Sequence, residues 1–169
     1  MRQYTIFTLL FLIHFGILNA QNTKTTKEES AAIDSVYQLF SDSYTSFDAD
    51  WAARCYAENA VSIAHYEGKV PYILNGHKEI LDDFKSFFNT IKSNNQTMTI
   101  AFKIIERTKK NDKIFDIGYY KLSFLKDGKE VDKAFGKVAI ILAKNAKNKW
   151  QYETDTNSTA TESEFNKSN

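Results

Sequence analysis

The 169 residues carry 22 Lys and Arg against 21 Asp and Glu; 43% are hydrophobic and 14% aromatic. That is enough chain for one domain with its own core and too little for two comfortable ones. The near-neutral balance gives no electrostatic reason to expect nucleic acid or an anionic membrane as partner, and a single Pro with six Gly excludes a fibrous or low-complexity chain.

Met1 to Ala20 stands apart. Arg2 gives a basic start, Ile6 to Leu18 is apolar apart from Thr8, His14 and Gly16, and the stretch ends on the small Ala20. This is the layout of a secretory signal cleaved near Ala20, so the expectation is an exported protein, periplasmic or secreted. The apolar run falls short of the roughly 20 residues that a bilayer span needs, so no integral span is expected in the mature form. A retained N-terminal anchor is the alternative. Losing Arg2 with the signal leaves the two charge signs equal at 21 each. Cys55 is the single cysteine, so no internal disulfide accompanies the exported setting and stability rests on packing.

Residues 21–29 read as a polar linker, although Thr26 and Glu29 have capping-box spacing for a helix start. Ile33, Val36, Tyr37, Phe40, Tyr44 and Phe47 recur at steps of three and four, one apolar stripe on a long first helix. Asp48-Ala49-Asp50 breaks it, and either Asp can cap a short second helix that continues to Tyr56. Val61 to Tyr66 alternates as a strand with Val61, Ile63 and His65 on one face, expected to be the inner one. Glu67 to Asn75 reads as a connection, and Gly76 opens a third helix with the stripe Ile80, Phe84, Phe87 and Ile91, ending at Ser93-Asn94-Asn95.

Four successive strands follow. They run from Gln96 to Arg107, Lys113 to Leu125, Lys133 to Ala143 and Trp150 to Asn157, with a hairpin signal at Asp127-Gly128. The last strand alternates Trp150, Tyr152, Thr154 and Thr156 against Gln151, Glu153, Asp155 and Asn157, which assigns Asp155 to a polar, outward row. Residues 158–169 read as a disordered polar tail. Helices followed by a run of strands predict an α+β domain over residues 30–157, a curved antiparallel sheet with the helices packed on one face.

The order of these pieces, with Phe47-Asp48-Ala49-Asp50-Trp51, Tyr56-Ala57-Glu58-Asn59-Ala60, Gly76-His77-Lys78-Glu79-Ile80, Asp116-Ile117-Gly118-Tyr119, Gly136-Lys137-Val138 and Lys149-Trp150 through Asp155, resembles the nuclear transport factor 2-like superfamily. The likeness is to its SnoaL-like and ketosteroid-isomerase-like members, and it implies their cystatin-like α+β cone, a strongly curved antiparallel sheet wrapped around the N-terminal helices. The resemblance implies an apolar pocket at the wide end of the cone and a homodimer as a common assembly. It also allows the isomerase roles to be placed. Their oxyanion Tyr falls near Ser41, a turn from Tyr37 and Tyr44. Their base falls at Ala64 or His65, and their second acid on Phe135 to Leu142, which holds no carboxyl. Ketosteroid-type proton transfer is therefore disfavoured.

His65 is the candidate catalytic residue, able to move a proton near neutral pH or simply to orient a ligand from the wall. Tyr44, Trp51, Tyr56, Tyr72 and Tyr119, with His65, are the candidate ligand-binding residues, since small-molecule sites favour flat apolar surfaces with a few hydroxyls. Plain core is the alternative for most of them. Cys55 reads as a small buried hydrophobe, and no metal site or cofactor is expected. The resulting expectation is an exported protein that binds a small apolar or amphipathic molecule, with catalysis uncertain. One alternative is a SnoaL-type isomerase, cyclase or hydrolase using His65. A second is a protein-interaction module with a filled cone.

Overall fold

The computed structural model describes residues 24–66 and 70–168. The expected signal at 1–20 lies outside the described residues. The first helix, α1 (Lys27–Ser46), begins at the capping box: Thr26 Oγ1 accepts from Glu29 N–H, and Glu29 accepts in return from Thr26 N–H. It therefore starts inside the stretch expected to be linker. Phe47 takes a left-handed φ of 56° and turns the chain into α2 (Ala49–Arg54), whose first turn is capped by Asp48 accepting from Trp51 N–H at 2.8 Å.

Six strands follow or interleave: β1 (Tyr56–Ala64), β2 (Tyr72–Asn75), then after helix α3 (Gly76–Ser93) the strands β3 (Thr97–Lys110), β4 (Lys113–Lys126), β5 (Lys129–Lys144) and β6 (Trp150–Thr159). They form one sheet in the order β2-β1-β6-β5-β4-β3. Asp127 and Gly128 both take positive φ, the two-residue turn their sequence signalled. The sheet is mixed rather than purely antiparallel. The β3 to β6 meander crosses the sheet and returns β6 beside β1 in the same direction, so that one pair is parallel while every other is antiparallel. β2 lies in the segment expected to be a connection.

Each long ladder carries an extra residue: Ile105 between β3 and β4, Val131 between β4 and β5, and Glu153 between β5 and β6. Such bulges bend and twist the bulged strand, and here they curve the sheet around α1 and α3. Gly136 serves the same curvature. It lies opposite Tyr120, whose ring crosses the space a Cβ would need.

The core is aromatic. Phe40 of α1 meets Tyr56, Phe84, Phe102 and Tyr152 at centroid separations of 5.6–6.1 Å, mostly edge to face. At the other end of α1, buried Asp116 accepts from Tyr37 Oη at 3.0 Å and from Arg107 at 2.8–3.1 Å, and Arg107 reaches on to Asp34 at 2.8 Å. This network ties α1 to β3 and β4.

The polar tail is ordered, contrary to expectation. β6 runs on to Thr159, and a short helix, α4 (Glu162–Lys167), opens with its own capping box at Thr161 and Glu164. It lies on the outer sheet face, where Phe165 stacks on Phe135 at 5.4 Å, and Glu162 and Glu164 pair with Lys133 and Lys137 at 2.6 Å. A segment with one aromatic anchor and complementary charges needs no apolar periodicity to dock.

Candidate functional site

A cavity of about 270 Å³ opens between the inner face of the sheet and the helices. Its walls are apolar and ringed, with Phe40 from α1, Phe84 and Phe87 from α3, and Phe102, Leu122 and Val138 from the sheet. The cone is therefore not filled. Along β4 and β5 the lining passes from buried Val138 and Ile140 to exposed Asp132 and Lys133, which places the mouth at that end.

The polar side of the cavity comes from β6, by way of the bulge at Glu153. Regular alternation from Tyr152 would turn Asp155 outward. The extra residue shifts the phase, so Tyr152, Asp155 and Asn157 all line the cavity while Glu153 pairs outside with Lys113 at 2.5 Å. Asp155 Oδ2 accepts a 2.6 Å hydrogen bond from Tyr56 Oη. Burial pushes the Asp155 carboxyl up to about 6, against the opposing pull of that hydrogen bond. Burial also raises the phenols of Tyr44, Tyr56 and Tyr152 well above their ordinary value, with the nearby Asp155 charge adding to each. Tyr152 is 1% exposed, yet its hydroxyl has no hydrogen-bond partner among the described residues; the same holds for Asn157 Oδ1.

The candidates from the sequence divide clearly. Tyr44, Tyr56 and His65 line the cavity. His65 does so by a different route from the one expected. The inner face of β1 is Ala60, Ser62 and Ala64, whose small side chains leave room for the rings of α3, while Val61 is exposed. β1 ends at Ala64, and His65 reaches the cavity after the strand has stopped. Trp51 does not belong to the site. α2 buries Ala49, Ala52 and Ala53, which turns Trp51 outward to 40% exposure. Tyr119 is also excluded: it faces the outer groove beside Ile105 and α4, and its neighbour Tyr120 takes the inner position over Gly136. Tyr72 stands behind the wall, donating to Asp83, a lining residue that also accepts from Tyr66 Oη at 2.7 Å. Cys55 is buried beneath α2 and burial pushes its thiol up to about 12, so it is an inert core atom.

No protein-family model matches the sequence, and no curated protein matches it. Solved structures do. Aln2 from a Streptomyces species superposes with a TM-score of 0.71 at 9% identity, over 81% of this chain and 94% of that one. A ketosteroid isomerase-like protein from Erwinia carotovora atroseptica gives 0.60 at 18% identity, covering 80% and 99%. The chain has the nuclear transport factor 2-like fold. A domain with a cystatin-like fold from Nostoc punctiforme, TM-score 0.63 at 17% identity over 83% and 82%, agrees with that architecture. At such identities the likeness carries the fold alone, and the chemistry must come from this chain's own cavity. Within this cone Asp155 brings a carboxyl from β6, and His65 lines the cavity just after the end of β1.

Proposed function

We propose that the protein is exported and binds a compact molecule with a largely apolar body and one polar end inside the cone. The observation that carries this reading is the ringed cavity with the Asp155–Tyr56 pair in its wall. Its volume sits just below the roughly 300–1,000 Å³ of common small-molecule sites, which favours a small ligand over an extended one. Rings supply affinity without specificity, and the few polar groups of β6 fix orientation.

A second reading uses the same groups for acid–base chemistry. A carboxyl raised to about 6 is poised to take a proton from bound substrate and return it elsewhere, and Tyr56 holds it in place. Asp155, rather than His65, is then the acid/base. Both readings depend on the cavity being the site.

The experiment is native mass spectrometry of protein purified from its own exported compartment, joined to melting-temperature scans with a broad apolar library. The Ala134→Phe variant, which places a ring in the lining near the mouth, is the control. A ligand-dependent shift that disappears in Ala134→Phe supports the reading. No shift with any compound, or an equal shift in the filled variant, overturns it. Mature protein starting at Gln21 supports export, and an intact Met1 in the purified chain counts against cleavage.

A further inference from the structure

The cavity is acidic, and its acid groups lack internal cations. Asp155, Asp83 and Asp132 line it, against Lys133 and His65. Lys133 is already engaged outside, 2.6 Å from Glu162 of α4. Asp83 is satisfied by two tyrosine hydroxyls. Asp155 accepts from Tyr56 through Oδ2, and its Oδ1 takes no hydrogen bond from the described residues. Two further oxygens are buried without partners, Tyr152 Oη and Asn157 Oδ1. The three residues occupy successive inward positions on β6, with Tyr152 Oη and Asn157 Oδ1 sealed in the wall and the Asp155 carboxyl left to meet a ligand.

A carboxylate with one free oxygen and no counter-charge, set in a ringed apolar box, restricts the ligand. An unpartnered buried oxygen costs free energy, and a carboxylate without a counter-charge costs more. A neutral hydroxyl brings one donor and no charge. An anion adds like charge to a cavity already lined by three carboxyls. An ammonium group brings three donors and the missing positive charge, and aromatic faces attract it further. The cations that sit over rings among the described residues, such as Lys103 over Phe165 and Lys144 over Trp150, use rings outside the cavity. The cavity's own rings are left for a ligand.

We propose that the ligand of the cone is a compact aromatic or alkyl amine bound as its ammonium ion, with nitrogen against Asp155 and the apolar body between the rings of α1 and α3. This rests on the reading of the cavity as a ligand site. The titratable groups that line the cavity with Asp155 and bear on any pH effect are Tyr44 on α1, Tyr56 on β1, His65 and Tyr66 after it, Asp83 on α3, Tyr120 on β4, Asp132 and Lys133 on β5, and Tyr152 on β6.

The test is isothermal titration of the mature chain with a panel of primary amines, each beside its alcohol isostere, tryptamine and tryptophol being the first pair. At about pH 7.5 the carboxyl is ionised and the amines are protonated. The amine should bind at least about tenfold tighter than the alcohol, and that preference should fall away as pH drops through about 6. Asp155→Asn should abolish the preference and keep the alcohol's binding. His65→Gln replaces the imidazole in the cavity wall and should leave the pH profile in place. Alcohols binding as tightly as their amines overturns the amine proposal and leaves the pocket reading standing. Neither series binding overturns both.

Discussion

Replacing Asp155 with Asn should stabilise the ligand-free protein at neutral pH. The carboxyl moves from an ordinary 3.8 to about 6 on folding, so its charged form is disfavoured in the cone by about 3 kcal/mol. The folded state holds this proton where the unfolded chain has already released it, so stability falls as pH rises from about 4 to about 6. Above that window the cost is complete; below it the cost is gone. Asn keeps an oxygen to accept from Tyr56 and does not titrate. Urea unfolding of both chains between about pH 4 and 8 isolates the effect, because carboxylates held low by lysines, such as Glu164 beside Lys137, cancel in the difference. The variant's advantage should grow from near zero to about 3 kcal/mol, or about 6–12 °C in melting temperature for a domain of this size. A difference that stays flat with pH, or a variant that is less stable at neutral pH, would refute the reasoning and mean the carboxyl is solvated or paired with a cation.

Asp116→Ala should cost about 3–5 kcal/mol in urea unfolding, since it removes the buried partner of Arg107, whose side chain is 13% exposed and is left with the exposed Asp34 as counter-charge, and leaves Tyr37 Oη without its acceptor. Gly136→Ala should lose about 1–3 kcal/mol because the new methyl meets the Tyr120 ring, and Tyr120→Leu should recover part of that loss in the double variant. Cys55 should resist thiol reagents in native protein and react at the rate of global unfolding, measured by reagent colour with and without denaturant. Truncation after Ala160 removes the solvent-screened Lys133–Glu162 and Lys137–Glu164 pairs with the Phe165 contact; the melting temperature should fall modestly while ligand-dependent shifts persist.

The helices were legible because their signals are local. The Thr26–Glu29 box, the Asp48 cap and the three-four stripes of α1 and α3 depend on neighbours within a turn, and the structure keeps them all. The long strands were legible for a similar reason. What escaped is held by distant partners. β2 is four residues long and exists by pairing with β1, so the pattern within Tyr72–Asn75 had little to reveal. α4 is fixed by Phe135, Lys133 and Lys137, which precede it by about 25 to 30 residues.

The site was hidden by one residue. Alternation along β6 put Asp155 on the outer row with Glu153, and that count is correct for an unbroken strand. Glu153 has no partner opposite it, and this surplus moves every later side chain to the other face. The bulge thereby converts a solvent-facing acid into the carboxyl of the cavity. It does so where the sheet must bend around α1, so curvature and chemistry have a common origin. His65 was found for the wrong reason, since its strand face points outward and the end of β1 brings it back. Deleting Glu153 would restore a regular ladder and still keep Asp155 in the cavity, because Tyr152, Thr154 and Asp155 would then follow one another in, out and in. A Glu153 deletion that folds should therefore still lose affinity for protonated amines as pH drops through about 6 in the same titration, and a folded deletion without that loss would refute this account of how β6 presents Asp155.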